Sequence, residues 1–339
     1  MKTKPAIPIA RPETRPVRLG VLTNPVAQHN HRFPFTHRRL GEQLASTGDA
    51  IATADPSQID EALRFLLFER GVTVLAINGG DGTIHGTINH LAALLGPDVL
   101  SGQARFPTLL MLNGGTYNMA SRAMGTKADP VTTVRRFQDR HRGGTLGAVQ
   151  TRSMGLLEIR ADGMDPMLGM VFGSQVVRDV LELCDDLGSG YLGLASLLAK
   201  GVMGSALQTR FFRENLWRLR PRDDRIWVDG RLHTNVLAAA ASTIDLKLAR
   251  GLVWALTIPP GSRGFHAKVI RAKSPSEVVH VLPHLLWELS HPMIGAHPEA
   301  ERLVTHGSFT VDGELHEPAG RLEVTLSSHR FDVVSGDDL

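Results

Sequence analysis

Two glycine-rich turns hold the residues of this chain best suited to chemistry. In the first, the apolar run Val74-Leu75-Ala76-Ile77 empties into Asn78-Gly79-Gly80-Asp81-Gly82-Thr83, and a helical pattern follows. Glycines 79, 80 and 82 allow positive φ and leave no side chain between backbone N–H groups and an anion. The following helix presents its positive end, so the turn has the chemistry of a phosphate site. Asp81 stands out within it, because a carboxylate beside phosphates is repelled unless a metal ion, a proton or an oriented hydroxyl intervenes. The same string also reads as a tight strand-to-helix turn whose Asp caps the helix. In the second turn, Leu109-Leu110-Met111-Leu112 runs into Asn113-Gly114-Gly115-Thr116-Tyr117-Asn118, with a helix expected from about Asn118. Two such turns fit neighbouring βα units of one parallel sheet, where ligands sit beyond the carboxyl ends of the strands.

A third candidate lies near the C-terminus. The segments Ile226-Trp227-Val228-Asp229-Gly230-Arg231-Leu232-His233 and Phe309-Thr310-Val311-Asp312-Gly313-Glu314-Leu315-His316 both read strand, Asp-Gly turn, strand. Asp-Gly between alternating apolar residues is a strong hairpin signal, and local physics makes Asp229 and Asp312 turn formers. The twins differ after the turn, where Arg231 answers Glu314.

Together these motifs resemble the diacylglycerol kinase catalytic superfamily, which includes bacterial lipid kinases, sphingosine kinases and ceramide kinases. The resemblance is carried by Gly79-Gly80-Asp81-Gly82-Thr83 with Asn89 beyond it, by Gly115-Thr116 and Asn118 continuing to Arg122 and Gly125, and by Asp312-Gly313-Glu314. Asn24-Pro25 after the first strand is a weaker match. The motifs stand in the family's order over almost the whole chain. What the resemblance implies is a doubly wound α/β nucleotide-binding domain followed by an antiparallel β-sandwich substrate domain, with the active site in the interdomain cleft. It further implies ATP and Mg2+ as cofactors, and transfer of the γ-phosphoryl group to a hydroxyl of a diacylglycerol-like or sphingoid-like lipid. Under it, Glu314 is the candidate general base, oriented by Asp312, and Asp81 holds magnesium through water or shares the base role. Nucleotide contacts fall to Thr53, Gly79, Gly80, Asp81, Gly82, Thr83, Gly115, Thr116 and Asn118. No protein ligand set for a metal follows.

Several positions depart from the family pattern. Gly86 stands where many members carry Glu, Met119 where many carry Asp, and Ala27-Gln28 where Ser-Gly is usual. Arg263-Gly264-Phe265-His266-Ala267 occupies the place of a D-G-x-L-D segment that holds a structural magnesium in some bacterial members, and neither Asp is present. Two other readings compete. An NAD kinase shares G-G-D-G-T and the two-domain plan, but its N-E pair followed by an Asp finds no convincing match. A nucleotide-binding regulatory module without turnover would explain the departures, yet Asp81, Thr116, Asp312 and Glu314 are all retained. A dehydrogenase is disfavoured, since no G-x-G-x-x-G follows the first strand.

The elements that must position these residues alternate over the first half of the chain. Strands are expected at 17–23, 49–53, 72–77 and 107–112, and helices at 36–47, 57–70, 83–95, 118–125 and 130–140. From Arg142-Gly143-Gly144 onward the pattern changes to extended runs joined by tight turns, as in a β-sandwich. The expected division is a flexible tail over 1–16, a nucleotide-binding domain over 17–143, a substrate domain over 144–327, and a C-terminal segment 328–339 that can return to the first domain. His29, His31 and His37 are expected in a solvated loop after the first strand, without metal-ligand spacing. Residues 191–203 form an apolar helical pattern, read either as packed on the sandwich or as the mouth of a lipid site. The Arg-aromatic run 210–220 is read as an amphipathic strand or as a surface for anionic headgroups.

Composition bounds the rest. The 339 residues are 42% hydrophobic and 21% charged with 34 glycines, which suits a folded two-domain α/β protein. A formal charge of +3, from 37 basic and 34 acidic residues, gives no general polyanion signature, so nucleic acid is not an expected partner. Cys184 is the only cysteine, which excludes an intrachain disulfide and any multi-cysteine metal site. The proline-rich, basic first 16 residues lack a signal-peptide core, and no apolar stretch is long enough to span a bilayer. The expectation is a cytoplasmic protein, at most peripheral at the inner membrane surface, with a lipid alcohol as substrate and room for a homodimer.

Overall fold

The computed structural model describes residues 17–45, 47–142, 150–175, 177–179, 182, 209–215, 225–248, 253–258, 262–272, 277, 284, 290–317 and 320–339. The expected N-terminal tail, the glycines at 143 and 144, Cys184, the apolar stretch 191–203 and the run 216–220 lie outside them. The chain divides into two compact units, Met1–Met154 with Ser328–Leu339, and Gly155–Ser327. Among the described residues no helix is long and apolar enough to cross a membrane.

The first unit is a parallel sheet with helices. Its elements are β1 (Leu19–Thr23), α1 (Gln28–Arg32), α2 (Thr36–Leu44), β2 (Gly48–Ala52), α3 (Ile59–Arg64), β3 (Val74–Gly79), α4 (Asp81–Leu100), β4 (Thr108–Asn113), α5 (Met119–Ala123) and α6 (Pro130–Arg142). Strand order is β2-β1-β3-β4, all parallel, and a further parallel strand comes from the far end of the chain, where Val333 pairs with Leu109. Strands β1 and β3 are buried at every residue, as central parallel strands must be when both faces are covered. On one face Leu19, Val21, Val74, Ala76, Leu110 and Leu112 pack with Leu40 and Leu44 of α2 and Val134 and Phe137 of α6. The chain steps from β1 outward to β2 and returns on the other side of β1 to β3. That reversal opens a crevice at the carboxyl ends of β1 and β3, where open α/β sheets bind ligands.

The expected strands and helices appear within a few residues, with one correction. His29 and His31 lie on α1 and His37 on α2, not in a loop. Five residues are too few to form a helix alone, and α1 is held by tertiary bonds: Asn30 Nδ2 donates to the carbonyls of Asn24 (2.8 Å) and Asn78 (3.1 Å).

The second unit is antiparallel. It comprises β5 (Thr151–Ala161, entering from the first unit), β6 (Met167–Gly169), β7 (Val171–Gln175), α7 (Arg210–Asn215), β8 (Ile226–Val228), β9 (Arg231–His233), β10 (Val236–Ser242), β11 (Leu246–Leu248), β12 (Val253–Leu256), β13 (Phe265–Arg271), β14 (Ile294–Ala300), β15 (Arg302–His306), β16 (Phe309–Val311), β17 (Glu314–His316) and β18 (Arg321–Val334, which runs back into the first unit). One sheet has the order β14-β13-β10-β7-β16-β17, and β18-β15-β8-β9 run side by side in another. A single core draws on both: Phe172, Ala239, Phe265 and Phe309 from the first, Ile226, Val228, Leu303 and Leu322 from the second. That is the packing of a sandwich. The strand expected from residue 210 is instead helical over 210–215, where Arg210 Nε and Glu214 Oε1 pair at 2.7 Å across one turn, an i,i+4 contact available only to a helix.

His233 and His297 meet inside this unit with Nε2 atoms 3.1 Å apart. One of the two must present a lone pair to the other's N–H, so the contact requires at least one neutral ring. Burial first, then the His297 charge and Arg231 and Arg271, lower His233 from 6.5 to about 4. Burial chiefly, with Arg231 and His266, lowers His297 against the opposing pull of Asp229. The unfolded chain takes a proton on His233 near pH 6.5, whereas the folded chain resists until about 4, so unfolding is proton-coupled in that window and stability falls as pH drops through it. The thermal midpoint should therefore decline between those pH values in melts followed by circular dichroism. His233→Gln, which keeps a hydrogen-bonding side chain that does not titrate, should flatten the decline, and an unaltered pH slope in that variant would refute the assignment.

Candidate nucleotide site

Three strand ends build the site of the first unit, and each ends on or beside an asparagine. After β1, Asn24 donates its backbone N–H to the Asn78 carbonyl (2.9 Å) and its side-chain Nδ2 to Thr83 Oγ1 (2.9 Å). At the end of β3, buried Asn78 donates to Thr23 Oγ1 (3.4 Å). At the end of β4, Asn113 Nδ2 donates to the carbonyls of Thr126 (3.1 Å) and Ala128 (3.0 Å), and its Oδ1 accepts from Ser121 Oγ (2.6 Å). These amides replace ladder bonds where the sheet stops, which buried backbone requires.

The first glycine turn runs directly into α4. Asp81 is already the first helical residue, behind the extended Gly80 (φ −88°, ψ −176°), and no side chain caps the helix. Glycines 79 and 80 do not use positive φ, contrary to the expectation. Their lack of a side chain serves close approach. A Cβ on Gly79 would lie 2.4 Å from Thr83 Cβ, and Gly80 lies under Gly115. The first-turn N–H groups of a helix have no partner within the helix, and Asp81, Gly82 and Thr83 make the first turn of a 20-residue helix. The positive end of such a helix favours anions.

The second turn behaves differently. Gly114 donates to the Gly79 carbonyl (3.1 Å). Gly115 is enclosed by Asn118, whose Oδ1 accepts the Gly115 N–H (2.9 Å) and whose Nδ2 donates to the Gly115 carbonyl (3.0 Å). Asn118 holds this bracket in the left-handed region at φ 52°, which asparagine tolerates better than most residues. The backbone N–H groups of Gly114 and Gly115 are therefore engaged internally. Its structural office is to brace the first turn, since a Cβ on Gly115 would sit 2.2 Å from Gly80 Cα.

Asp81 ties the two turns together. Its Oδ1 accepts the N–H of Ala120 (3.0 Å) in the first turn of α5. A carboxylate at a helix N-terminus is stabilised by the N–H groups and the dipole. The electrostatic problem posed by the sequence has a local answer: the charge of Asp81 is turned toward α5. Thr116 Oγ1 hydrogen-bonds the Gln28 side chain, which links this turn to α1, and Asn30 N–H reaches the Gly114 carbonyl (3.3 Å). Thr53 is buried at 5% exposure, with its N–H on the Thr23 carbonyl (2.8 Å). Asn89 donates to the His85 carbonyl one turn back (3.0 Å). Among the described residues no three His, Cys, Asp or Glu side chains converge as a metal site, and His266 of the departed metal segment has Nδ1 on the Thr257 carbonyl (2.5 Å).

In the second unit the Asp-Gly twins have one geometry. Asp229 and Gly230 (φ 49° and 78°) and Asp312 and Gly313 (51° and 94°) both take positive φ, the signature of a two-residue type I′ hairpin. Asp229 Oδ1 accepts the N–H groups of Glu301 and Arg302. Asp312 Oδ1 accepts those of Met170 (3.0 Å) and Val171 (2.8 Å). The Asp312 carboxylate, 5% exposed, thus fastens the turn to the start of β7. Glu314 opens β17 opposite Val311 and is exposed, as is Arg231 opposite Val228.

Residues 18–149 match the family model described as the diacylglycerol kinase catalytic domain, which bears out the resemblance drawn from the motifs. Three solved structures from Bacillus anthracis str. Sterne share the fold. One, of a "putative diacylglycerol kinase", is 15% identical with a TM-score of 0.60 and covers 95% of this chain and 98% of its own. A second of the same description is 16% identical at 0.58, over 94% and 96%. A third, of a diacylglycerol kinase, is 15% identical at 0.54, over 94% and 96%. Identities this low speak for the fold, an α/β domain with a separate antiparallel β domain. No curated protein matches the chain.

Asn24, Asn30, Asn78 and Asn113 are the site residues that motif reading passes over or underweights. Asparagine recurring at the ends of three apolar strands was the available signal. The bracing of Gly80 by Gly115 yields a sharp test. Gly115→Ala should cost about 1–3 kcal/mol of stability, the range for overpacking, and should abolish nucleotide binding in a calorimetric titration. Gly86→Ala meets only Ile59 Cδ1 at 3.7 Å and should instead stabilise α4 by about 0.5–1 kcal/mol. Equal effects at the two positions would remove the case for the brace.

Proposed function

We propose that this protein is an ATP-dependent lipid kinase, transferring the γ-phosphoryl group to a hydroxyl of a diacylglycerol-like or sphingoid-like lipid. The observation that carries the reading is the uncapped N-terminus of α4 at Gly80-Asp81-Gly82-Thr83, set where the strand order reverses in a domain of the diacylglycerol kinase family. A kinase domain takes ATP as donor, and phosphoryl transfer is governed by positioning and charge stabilisation more than by covalent participation of the protein. The first-turn N–H groups of α4 would hold phosphate oxygens, and the Thr83 hydroxyl, fixed by Asn24, would help align them. Asp81, the one carboxylate within the glycine turns, is the residue that would hold a magnesium ion, which would supply charge neutralisation to the phosphates.

In the proposed step the acceptor oxygen bonds to the γ-phosphorus, the bond to the β-phosphate oxygen breaks, and ADP departs. The hydroxyl proton passes to Glu314. That residue is preferred because it is exposed and follows a turn made rigid by Asp312, whereas the structurally equivalent position of the twin hairpin carries Arg231.

Purified protein incubated with labelled ATP, magnesium and a panel of diacylglycerols, sphingoid bases, ceramides and NAD should label a lipid alcohol. Labelled NAD alone would move the assignment to an NAD kinase, and no acceptor labelled would leave a nucleotide-binding module. Glu314→Gln should lower turnover about 10²–10⁴-fold, the typical worth of a general base, with an unchanged melt. Asp81→Asn keeps an acceptor for the Ala120 N–H but removes the charge, so a comparable loss at a wild-type melting temperature is expected. Wild-type turnover in the Glu314 variant would return that residue to an ordinary hairpin position.

A further inference from the structure

Helix α5 is five residues long, too short to stand by itself, yet its first turn carries the Ala120 N–H that anchors Asp81 (3.0 Å). Its far end is where it is held. Gly125 takes φ 86°, Thr126 returns its N–H to the Ser121 carbonyl (2.9 Å), and Gly125 returns its own to Arg122 (2.9 Å). The helix is thus closed through a left-handed glycine. Asn113, at the end of β4, takes up the Thr126 and Ala128 carbonyls and fixes this cap to the sheet.

The cap is crossed by the chain that leaves β18. Ser335 donates its N–H to the Gln150 carbonyl and Gly336 donates to that of Met124, both at 2.8 Å. The approach is tight. A Cβ on Gly336 would lie 2.4 Å from the Thr126 nitrogen, and one on Gly125 would lie 2.6 Å from Asp337 Cγ. The Asp337 carboxylate, seated over Gly125, pairs with Lys127 (3.0 Å) in the cap itself and with Arg152 (3.4 Å). Residues 335–337 fall outside the stretch 18–149 that matches the family, so the glycine-turn motifs do not contain this support.

We propose that Asp337 is a positioning residue of the nucleotide site: it holds the cap of α5, and through α5 the Ala120 N–H that orients Asp81. Asp337 itself touches no nucleotide. Exposed ion pairs add little to the stability of a whole domain, and the Lys127 and Arg152 side chains are 86% and 52% exposed. A five-residue helix is more sensitive, because small local contributions decide how often it opens. A site that is competent only while α5 is formed loses affinity in proportion to the fraction formed. This inference rests on the nucleotide-binding part of the proposed function.

Asp337→Ala in the full chain tests it, with Asp338→Ala as a control that removes the same charge one residue away. Both variants should melt at the wild-type temperature. In hydrogen–deuterium exchange, Asp337→Ala should speed the peptides spanning 119–126 about three- to tenfold, the worth of two exposed ion pairs, while peptides from β1 and β3 keep their protection. ATP titrated by calorimetry should bind weaker by a similar factor of about three to ten, and Asp338→Ala should change neither readout. Exchange that rises uniformly over the first unit would mean a general loss of stability and overturns the proposal. Local opening without loss of ATP affinity overturns it too, as does an equal effect from Asp338→Ala. Wild-type protein that binds no ATP removes the nucleotide reading and the positioning role together, whereas wild-type binding that Asp337→Ala leaves intact removes the positioning role alone.

Discussion

The first unit turns on a contact between two glycines. Gly80 and Gly115 lie so close that a Cβ on Gly115 would fall 2.2 Å from Gly80 Cα, and one on Gly80 would crowd Gly115 Cα at 3.3 Å; the neighbouring polar bonds hold them there. Asp81 reaches from the first turn to the Ala120 N–H, Gly114 donates to Gly79, and Asn118 closes on Gly115 from both sides. Each bond satisfies a group that would otherwise be left without a partner at a strand or helix end, where a missing partner costs about 1–3 kcal/mol. The result is a division of labour between two turns of similar sequence. One completes its own hydrogen bonds and becomes a platform, and the other runs directly into α4.

A capping role for Asp81 and a catalytic one are compatible, because a carboxylate has two oxygens and about four lone-pair positions. The bond to α5 orients the group, and a negative charge near a helix N-terminus gains roughly 0.3–1 kcal/mol. A carboxylate placed freely beside phosphates would swing away from them. Anchored at one oxygen, it is held at the junction of the two turns. The apparent defect in a phosphate turn is in this sense a consequence of building two helix starts side by side.

Much of the architecture was legible because its signals are local. Apolar runs ending in glycine marked β3 and β4, alternation and Asp-Gly marked the two hairpins, and a change of pattern marked the second unit. The miscast elements were those whose conformation is set from a distance. His29, His31 and His37 sit on helices because Asn30 pins α1 to carbonyls at the ends of β1 and β3, information absent from any window of neighbouring residues. Arg210 to Asn215 was read as extended because the run mixes arginines with aromatics, while the Arg210–Glu214 pair that favours the helix lay in plain view at i,i+4 spacing. The positive φ attributed to glycines 79 and 80 failed for a different reason. Composition reveals that a side chain is excluded there, but not whether torsion or proximity excludes it.

The twin hairpins carry that argument to the second unit. Asp229 and Asp312 have the same φ, the same following glycine and the same pair of backbone N–H groups from an adjacent strand start. A fold that repeats a device in this way separates what the device is for from what is mounted on it. The Asp-Gly turn fixes the register of two short strands that could not hold themselves together. The residue after the turn is then presented at an exposed position, Arg231 in one copy and Glu314 in the other. The same hairpin accepts a side chain of either charge there, so the turn chemistry of Asp229 and Asp312 does not decide which charge the next residue carries.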